Sequence, residues 1–444
     1  MVSPTAADEV APTSDTGTPE TSSPVVRFGP IRLTLPTSSS TPTDIRSLLL
    51  VLGLPTFGLS FAITVLTTYG PVVLLRVAHS PAKVGALIGG EGAFALIVPL
   101  LAGALSDRLP ARTPTGKRVP FIAVGAPLAA AGLVLLPFAG TYRLAGLTVL
   151  AFFIGYYLYY PPYRAIYADL LPRRLFARAQ SGQAIERGAG LGIALLAGGL
   201  LLGLWMPLPF VVAAVVLVLS TLALRPVLRL GAPEDLGPLD EEGEVERRPT
   251  TSTRDLLLHN RDMQMFGIAN ALWEFSFAGL KTFIVLYIVH GLGRSPGLAS
   301  AVIAIVAVAY VVGAPVAGRL SDRYGIPRVM KWSALVYGAG LCYGVWPTTV
   351  TPMLIVVPVI SIAGAILMTL PQALAFTLAP DSGQGAAAGL VDFTRGIGVV
   401  LGPVLVGAAV GASASFLSGT EGYAIMWPTI GVPILASLIV LRRF

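Results

Sequence analysis

Long apolar runs separated by short polar turns dominate the chain, with the rhythm of helices crossing a hydrocarbon layer. A bilayer core of roughly 30 Å takes about 20 helical residues. Runs of that order occupy 47–75, 83–106, 119–139, 144–168, 179–204, 208–225, 263–290, 297–319, 331–348, 353–379, 386–411 and 422–441. The pattern predicts an all-α polytopic membrane protein with twelve transmembrane helices in two six-helix halves. Residues 1–43, rich in Ser, Thr and Pro and without an apolar core, read as a disordered tail. The predicted units are this tail, a first bundle at 44–225, a linker at 226–262 and a second bundle at 263–444. The linker carries an acidic run, Asp240, Glu241, Glu242, Glu244 and Glu246, which reads as a solvated hinge.

Composition agrees with the bilayer. Of 444 residues 54% are hydrophobic and 12% charged, and the mean hydropathy is +0.77. A soluble domain carries roughly 25% charged residues. The 49 Gly and 36 Pro fit membrane helices, where neighbouring groups re-satisfy the backbone that proline frees. A net charge of +7 raises the question of nucleic acid, but the basic residues sit in short turns between apolar runs. Of the 30 Lys and Arg, four lie on alternate turns (Arg76, Lys83, Arg143, Arg294) and four inside spans, leaving 22 for the side shared with the termini. That asymmetry predicts cytoplasmic N- and C-termini in a multi-pass protein of the plasma (inner) membrane. One cysteine, Cys342, and three scattered histidines give no disulfide, metal site or cofactor site.

The two halves echo each other. Gly103–Ala–Leu–Ser–Asp107–Arg108 recurs as Gly318–Arg–Leu–Ser–Asp322–Arg323, and Arg187–Gly188–Ala–Gly190 recurs as Arg395–Gly396–Ile–Gly398, at offsets of 215 and 208. Internal duplication of this kind is the architecture of alternating-access carriers. The Gly-x-x-x-Asp-Arg turns resemble the loop motif of the major facilitator superfamily, and the resemblance covers all predicted spans. It implies that Gly103, Asp107, Arg108, Gly318, Asp322 and Arg323 form a gating contact. The first copy continues Arg112…Gly116–Lys117–Arg118–Val–Pro120–Phe121, and the fourth span holds Pro162–Tyr163–Arg164–Ala165–Ile–Tyr–Ala168–Asp169–Leu170. Both are similar to the sucrose-porter and glycoside–pentoside–hexuronide branch, which implies a part for Arg164 in handling sugar or proton. Unlike plant-type porters, the first span here has no acidic residue.

Eight ionisable residues fall inside spans: Glu91, Arg164, Glu186, Arg187, Glu274, Lys281, Asp392 and Arg395. An unpaired charge at mid-bilayer costs roughly 3 kcal/mol on insertion scales, so all eight should face the bundle interior, paired or hydrated. In the seventh span Asn270, Glu274, Phe277 and Lys281 share one helical face flanked by Trp273, which reads either as a sugar-binding face or as a structural Glu–Lys pair. In the fourth, Tyr156, Tyr160, Tyr163 and Tyr167 form one stripe, and Tyr157, Tyr160 and Arg164 another. Glu186 with Arg187, and Asp392 with Arg395, read as intramembrane ion pairs. Glu91, alone among glycines, and Glu274 are the candidates for proton coupling, and Asn270, Trp273, Glu274, Lys281, Arg164 and Tyr160 for substrate binding.

The reading that follows is a monomeric secondary transporter, a proton- or other cation-coupled symporter of a sugar or similar polyhydroxylated solute. Proton-antiport efflux of lipophilic compounds is the second transport reading, and a non-transporting receptor or scaffold on a carrier fold the third. An enzyme would need a nucleophile with its base, or a metal cluster, and the residue inventory offers neither.

Overall fold

The computed structural model describes residues 25–28, 31–34, 42–108, 116–171, 175–228, 260–346, 350–379 and 384–444. The first bundle contains α1 (Pro42–Ala78), α2 (Pro81–Arg108), α3 (Val119–Leu135), α4 (Tyr142–Leu170), α5 (Phe176–Leu204) and α6 (Leu208–Leu222). After it come α7 (Arg261–Leu286), α8 (Pro296–Tyr324), α9 (Ile326–Tyr343), α10 (Val350–Thr369), α11 (Gln384–Ser413) and α12 (Met426–Leu441). Ten helices among the described residues are long and apolar enough to cross a membrane. Each expected span falls on a helix, but the side chains of Tyr310 and Val311 in α8 lie outside the described residues, and α9 carries Arg328 and Lys331 in its first turns. The protein is therefore an all-α polytopic membrane protein, with ten spans secured by length and composition where twelve were expected.

Local chemistry sets the helix ends. Thr141 caps α4 by accepting from the Leu144 amide, Asn260 caps α7 by accepting from the Asp262 and Met263 amides, and Ser295 caps α8. Such caps satisfy amides that have no partner inside the helix. The run expected at 353–379 is interrupted at Leu370, before Pro371, and resumes as Pro371–Leu378. By contrast α4 runs on as one helix through Pro161 and Pro162. Within the stretch read as a disordered tail, Val25–Phe28 and Ile31–Thr34 pair as an antiparallel hairpin. Residues 1–24, the loop 109–115 and linker residues 229–259 lie outside the described residues.

Within each group the helices pack through close backbone approaches at glycine. Gly125 and Gly132 of α3 lie against α4, and Gly338 of α9 lies against Leu435 of α12. Small residues let membrane helices approach until dispersion and carbonyl contacts replace the missing hydrophobic drive. Arg443, beyond α12, pairs with Asp262 at the start of α7, which brings those two ends together. We call this side, which also holds the start of α1, the near end.

The two groups meet along α2–α11, α5–α8 and α1–α7. Antiparallel α2 and α11 touch from Gly85 at Pro403, through Gly89 at Val400, to Leu96 at Gly396. At the far end Tyr69 of α1 donates to the Leu195 carbonyl of α5 and shares a 2.9 Å hydrogen bond with Ser300 of α8, whose hydroxyl also accepts from the Gly199 amide at 2.8 Å. Both side chains are buried, so this seam is dry. Towards the near end, Arg164, Arg187, Asp392 and Arg395 are exposed although they sit well inside their helices. Charged groups at that depth require water, so the bundle is sealed at the far end and opens at the near end.

One buried pair braces the near end. Arg118, just before α3, meets Asp169 of α4 at 3.2 Å, with side-chain exposures of 8% and 15%. Removing one partner of a buried pair strands the other charge and costs about 3–5 kcal/mol. Arg118→Met should therefore lower the melting temperature sharply, and Arg118→Met with Asp169→Asn should recover much of the loss in the same melt.

Candidate functional site

The charged groups exposed at that depth, and the carboxylates, lysine and tyrosines that interact with them, come from α2, α4, α5, α7 and α11, and they define the cavity. From α7, Glu274 reaches Arg395 of α11, with Oε2 to Nε at 3.8 Å. Arg395 is tied across helices to Glu274, not along its own helix to Asp392 as expected. Its side chain stays 59% exposed, open to the cavity, while that of Glu274 is 17% exposed. The fields of Glu91, Asp392 and Tyr157 also act on Arg395, and those of Glu91, Glu274 and Arg395 act on Lys281. Glu91 and Arg395 lie on opposite sides of the α2–α11 seam. Lys281 makes no ion pair within 4 Å among the described residues.

The tyrosines of α4 divide between two faces. Tyr163 donates to the Leu52 carbonyl at 2.7 Å and bonds Thr56 at 2.8 Å, and Tyr167 reaches the same carbonyl at 3.0 Å. These two, both buried, fasten α4 to α1. Tyr156, Tyr157 and Tyr160 turn towards the cavity: Tyr157 donates to Glu91 at 3.4 Å, and Tyr156 stacks on Tyr160. Two arginines converge on Tyr160. Arg187 of α5 donates to its hydroxyl at 2.9 Å, and the Arg164 guanidinium lies 5.6 Å from its ring centre. The expected Glu186–Arg187 pair is not formed: neither arginine has a carboxylate within 4 Å among the described residues, and Glu186 turns instead to α1.

Two predicted binding residues are helix cement. Asn270 is buried and donates to the Val391 carbonyl at 3.1 Å and to Thr394 at 2.8 Å, fastening α7 to α11. Trp273, fully buried, donates its indole N–H to Ser437 of α12 at 2.9 Å. Phe277 stacks on Tyr337 of α9 at 5.4 Å. Sequence periodicity gave these residues a common neighbourhood on α7, but that helix is surrounded, so only its Glu274–Lys281 edge meets the cavity. Of the gating residues, Asp322 and Arg323 are exposed at the near end of α8, with Arg323 over the Tyr324 ring at 5.2 Å, and Gly318 is exposed too. Arg108 is exposed at the end of α2, and the side chains of Gly103 and Asp107 lie outside the described residues. The buried Arg118–Asp169 pair, which the sequence motif held in two separate pieces, was missed as a contact.

This arrangement, a polar cavity between two helix groups closed at one end, is that of a carrier. The sequence matches the Major Facilitator Superfamily over residues 52–280 and again over 265–443, and the chain belongs to that superfamily. The family and fold are those of membrane transporters. Two curated relatives, the uncharacterized MFS-type transporters MT2531 and Rv2456c of Mycobacterium tuberculosis strains CDC 1551 / Oshkosh and ATCC 25618 / H37Rv, are each 27% identical over 266 residues, 59% of this chain. The match spans 62% of the length of each of those relatives. Among solved structures, a bacterial homolog of the human lysosomal transporter Spinster, inward-facing and occupied, superimposes with a TM-score of 0.74 at 18% identity, covering 91% of this chain and 97% of that one. A mutant of the nucleoside transporter NupG gives 0.72 at 16%, covering 89% and 99%. At these identities the likeness is one of fold.

Proposed function

We propose that the chain is a proton-coupled symporter of a sugar, glycoside or similar polyhydroxylated solute, with all twelve helices crossing the plasma membrane and both termini in the cytoplasm. The single observation that carries this reading is the joint polar cluster: Glu91 and Tyr157 from one helix group lie within electrostatic reach of Arg395 from the other, which pairs with Glu274, and Glu91 also acts on Lys281. Hydroxyls suit such a mixture of acceptors, donors and aromatic faces, whereas a lipophilic efflux substrate would strand it. Positive-inside bias puts the near end in the cytoplasm, so the cavity described is the inward-facing one. Rocking the halves about the cluster would expose it to the other side. Glu91 and Glu274 remain the coupling candidates, and the binding set narrows to Arg164, Tyr160, Glu274 and Lys281. The similarity of the loop and of the fourth helix to sucrose-type porters supports the sugar class.

A second reading within the same class is favoured by Arg164 and Arg187. Two guanidinium groups on Tyr160 without carboxylate partners among the described residues suit a solute that also carries an acid group. Uptake into proteoliposomes of labelled neutral sugars and sugar acids, with and without an inward proton gradient, tests both. Saturable, gradient-stimulated uptake of a neutral sugar supports the first reading, and of a sugar acid alone the second. No uptake of any member overturns the sugar assignment and leaves the fold untouched.

A further inference from the structure

We infer that Glu186 of α5 is a proton-binding site in the seam between α1, α4 and α5, separate from the carboxylates of the central cluster. Its Oε2 is buried and has no hydrogen-bond partner among the described residues. The carboxyl lies against the backbone of Gly53, in the space that any side chain at 53 would fill. The side chain as a whole keeps partial solvent access, so the group can exchange with cavity water.

The internal repeat sharpens the point. Offsets of 208 for α5 to α11, and 214 for α1 to α7, carry Glu186 to Thr394 and Gly53 to Gly267. The contacts follow the same offsets. Gly53 lies on Glu186 and Gly267 on Thr394, while Gly190 lies on the Phe57 carbonyl and Gly398 on that of Ala271. The two seams are therefore built alike, and in the second one the position is satisfied: Thr394 accepts from Asn270 and donates to the Leu390 carbonyl. In the first seam a carboxyl replaces the threonine, and Thr56 stands where Asn270 would, its hydroxyl engaged with Tyr163. A packing role needs no acid there, as the twin seam demonstrates.

The groups facing Glu186 leave a proton as the ligand. From α4 the titratable neighbour is Tyr167, whose phenol is bonded to Leu52, Tyr163, Thr56 and Gln183. From α1 come Leu52, Gly53 and Thr56, none titratable, and on α5 itself Arg187 turns to Tyr160. A metal cation would need several free oxygens, but the Leu52 carbonyl already accepts from two tyrosines and Gly53 leaves no space beside Oε2. A proton needs only the carboxylate, which becomes the neutral acid on uptake and returns the proton to cavity water on release. The use of this site in coupling rests on the symport reading; the site itself does not.

The test is an acid–base titration of the protein in phospholipid vesicles, followed by infrared difference spectroscopy without any solute. The wild type should gain a carboxylic-acid carbonyl band on acidification that Glu186→Gln lacks, that Glu186→Asp displaces, and that Glu91→Gln and Glu274→Gln retain. A Glu186→Gln spectrum with the full set of wild-type bands overturns the inference. Should that variant not fold, an undisplaced band in Glu186→Asp overturns it equally. The band should be indifferent to exchange of sodium for potassium, and a sodium-dependent shift would replace the proton with a metal ion. Because no sugar is added, failure of the uptake panel leaves this result standing.

Discussion

Arg395→Met should reduce transport of the solute found by the uptake panel by at least about 100-fold, the largest single-residue effect expected in this protein. The guanidinium meets Glu274 of α7 while sitting within the fields of Glu91 and Tyr157 from the opposite helix group. Removing it takes from Glu274 its ion-pair partner, and a 100-fold loss represents roughly 2.7 kcal/mol. Initial rates in proteoliposomes check the first part. Melting temperatures check the second: Arg395→Gln with Glu274→Gln should melt closer to wild type than either single variant, yet remain inactive. If the double variant transports, the pair only holds helices together and the site lies elsewhere.

Gly89→Leu should have the next largest effect, because it wedges the seam that seals the far end. A Cβ at 89 would lie 2.7 Å from the Val400 carbonyl oxygen and 2.9 Å from Val404 Cγ2. Neither backbone can yield locally, so α2 and α11 must part. Overpacking costs about 1–3 kcal/mol, which corresponds to a shift of roughly 5- to 150-fold between the closed and opened far end. Spin labels on Lys83→Cys and Phe416→Cys, in a Cys342→Ser background, should report a longer separation, with transport lowered about tenfold or more. Tyr69→Phe and Ser300→Ala, which each remove about one net hydrogen bond of ~1 kcal/mol from the same seal, should shift the distances in the same direction by less. Unchanged distances in Gly89→Leu would mean that the α2–α11 contact does not govern closure.

The helices were legible because hydrocarbon thickness imposes a length on apolar runs, and the runs at 47–75 and 119–139, without a single charge, leave little choice. The count was less legible at α9, which carries Arg328 and Lys331 within its first turns. For the site, sequence indicated which residues the bilayer cannot leave bare, and Glu91, Glu274, Lys281 and Arg395 lie within one another's electrostatic reach. It could not indicate partners. Helical periodicity places Asn270 and Trp273 beside Glu274, but it carries no information on which neighbour each side of α7 faces, and those neighbours proved to be α11 and α12. Arg395 had a carboxylate at i−3 and chose one on another helix. Glu186 was legible as a charge inside a span, but its isolation appears only when Gly53, 133 positions earlier in the sequence, is brought beneath it.

The divided loyalties of α4 bear on how such a protein can change over evolutionary time. Tyr163 and Tyr167 bind the helix to α1, whereas Tyr156, Tyr157 and Tyr160 contribute to the cavity wall. Selection can thus rewrite the cavity-facing row without loosening the bundle. On the proposed transport reading, a lineage that adopts a new solute has three exchangeable positions on a helix whose attachment stays fixed. Specificity here is a replaceable lining, and drift in it need leave no trace in folding.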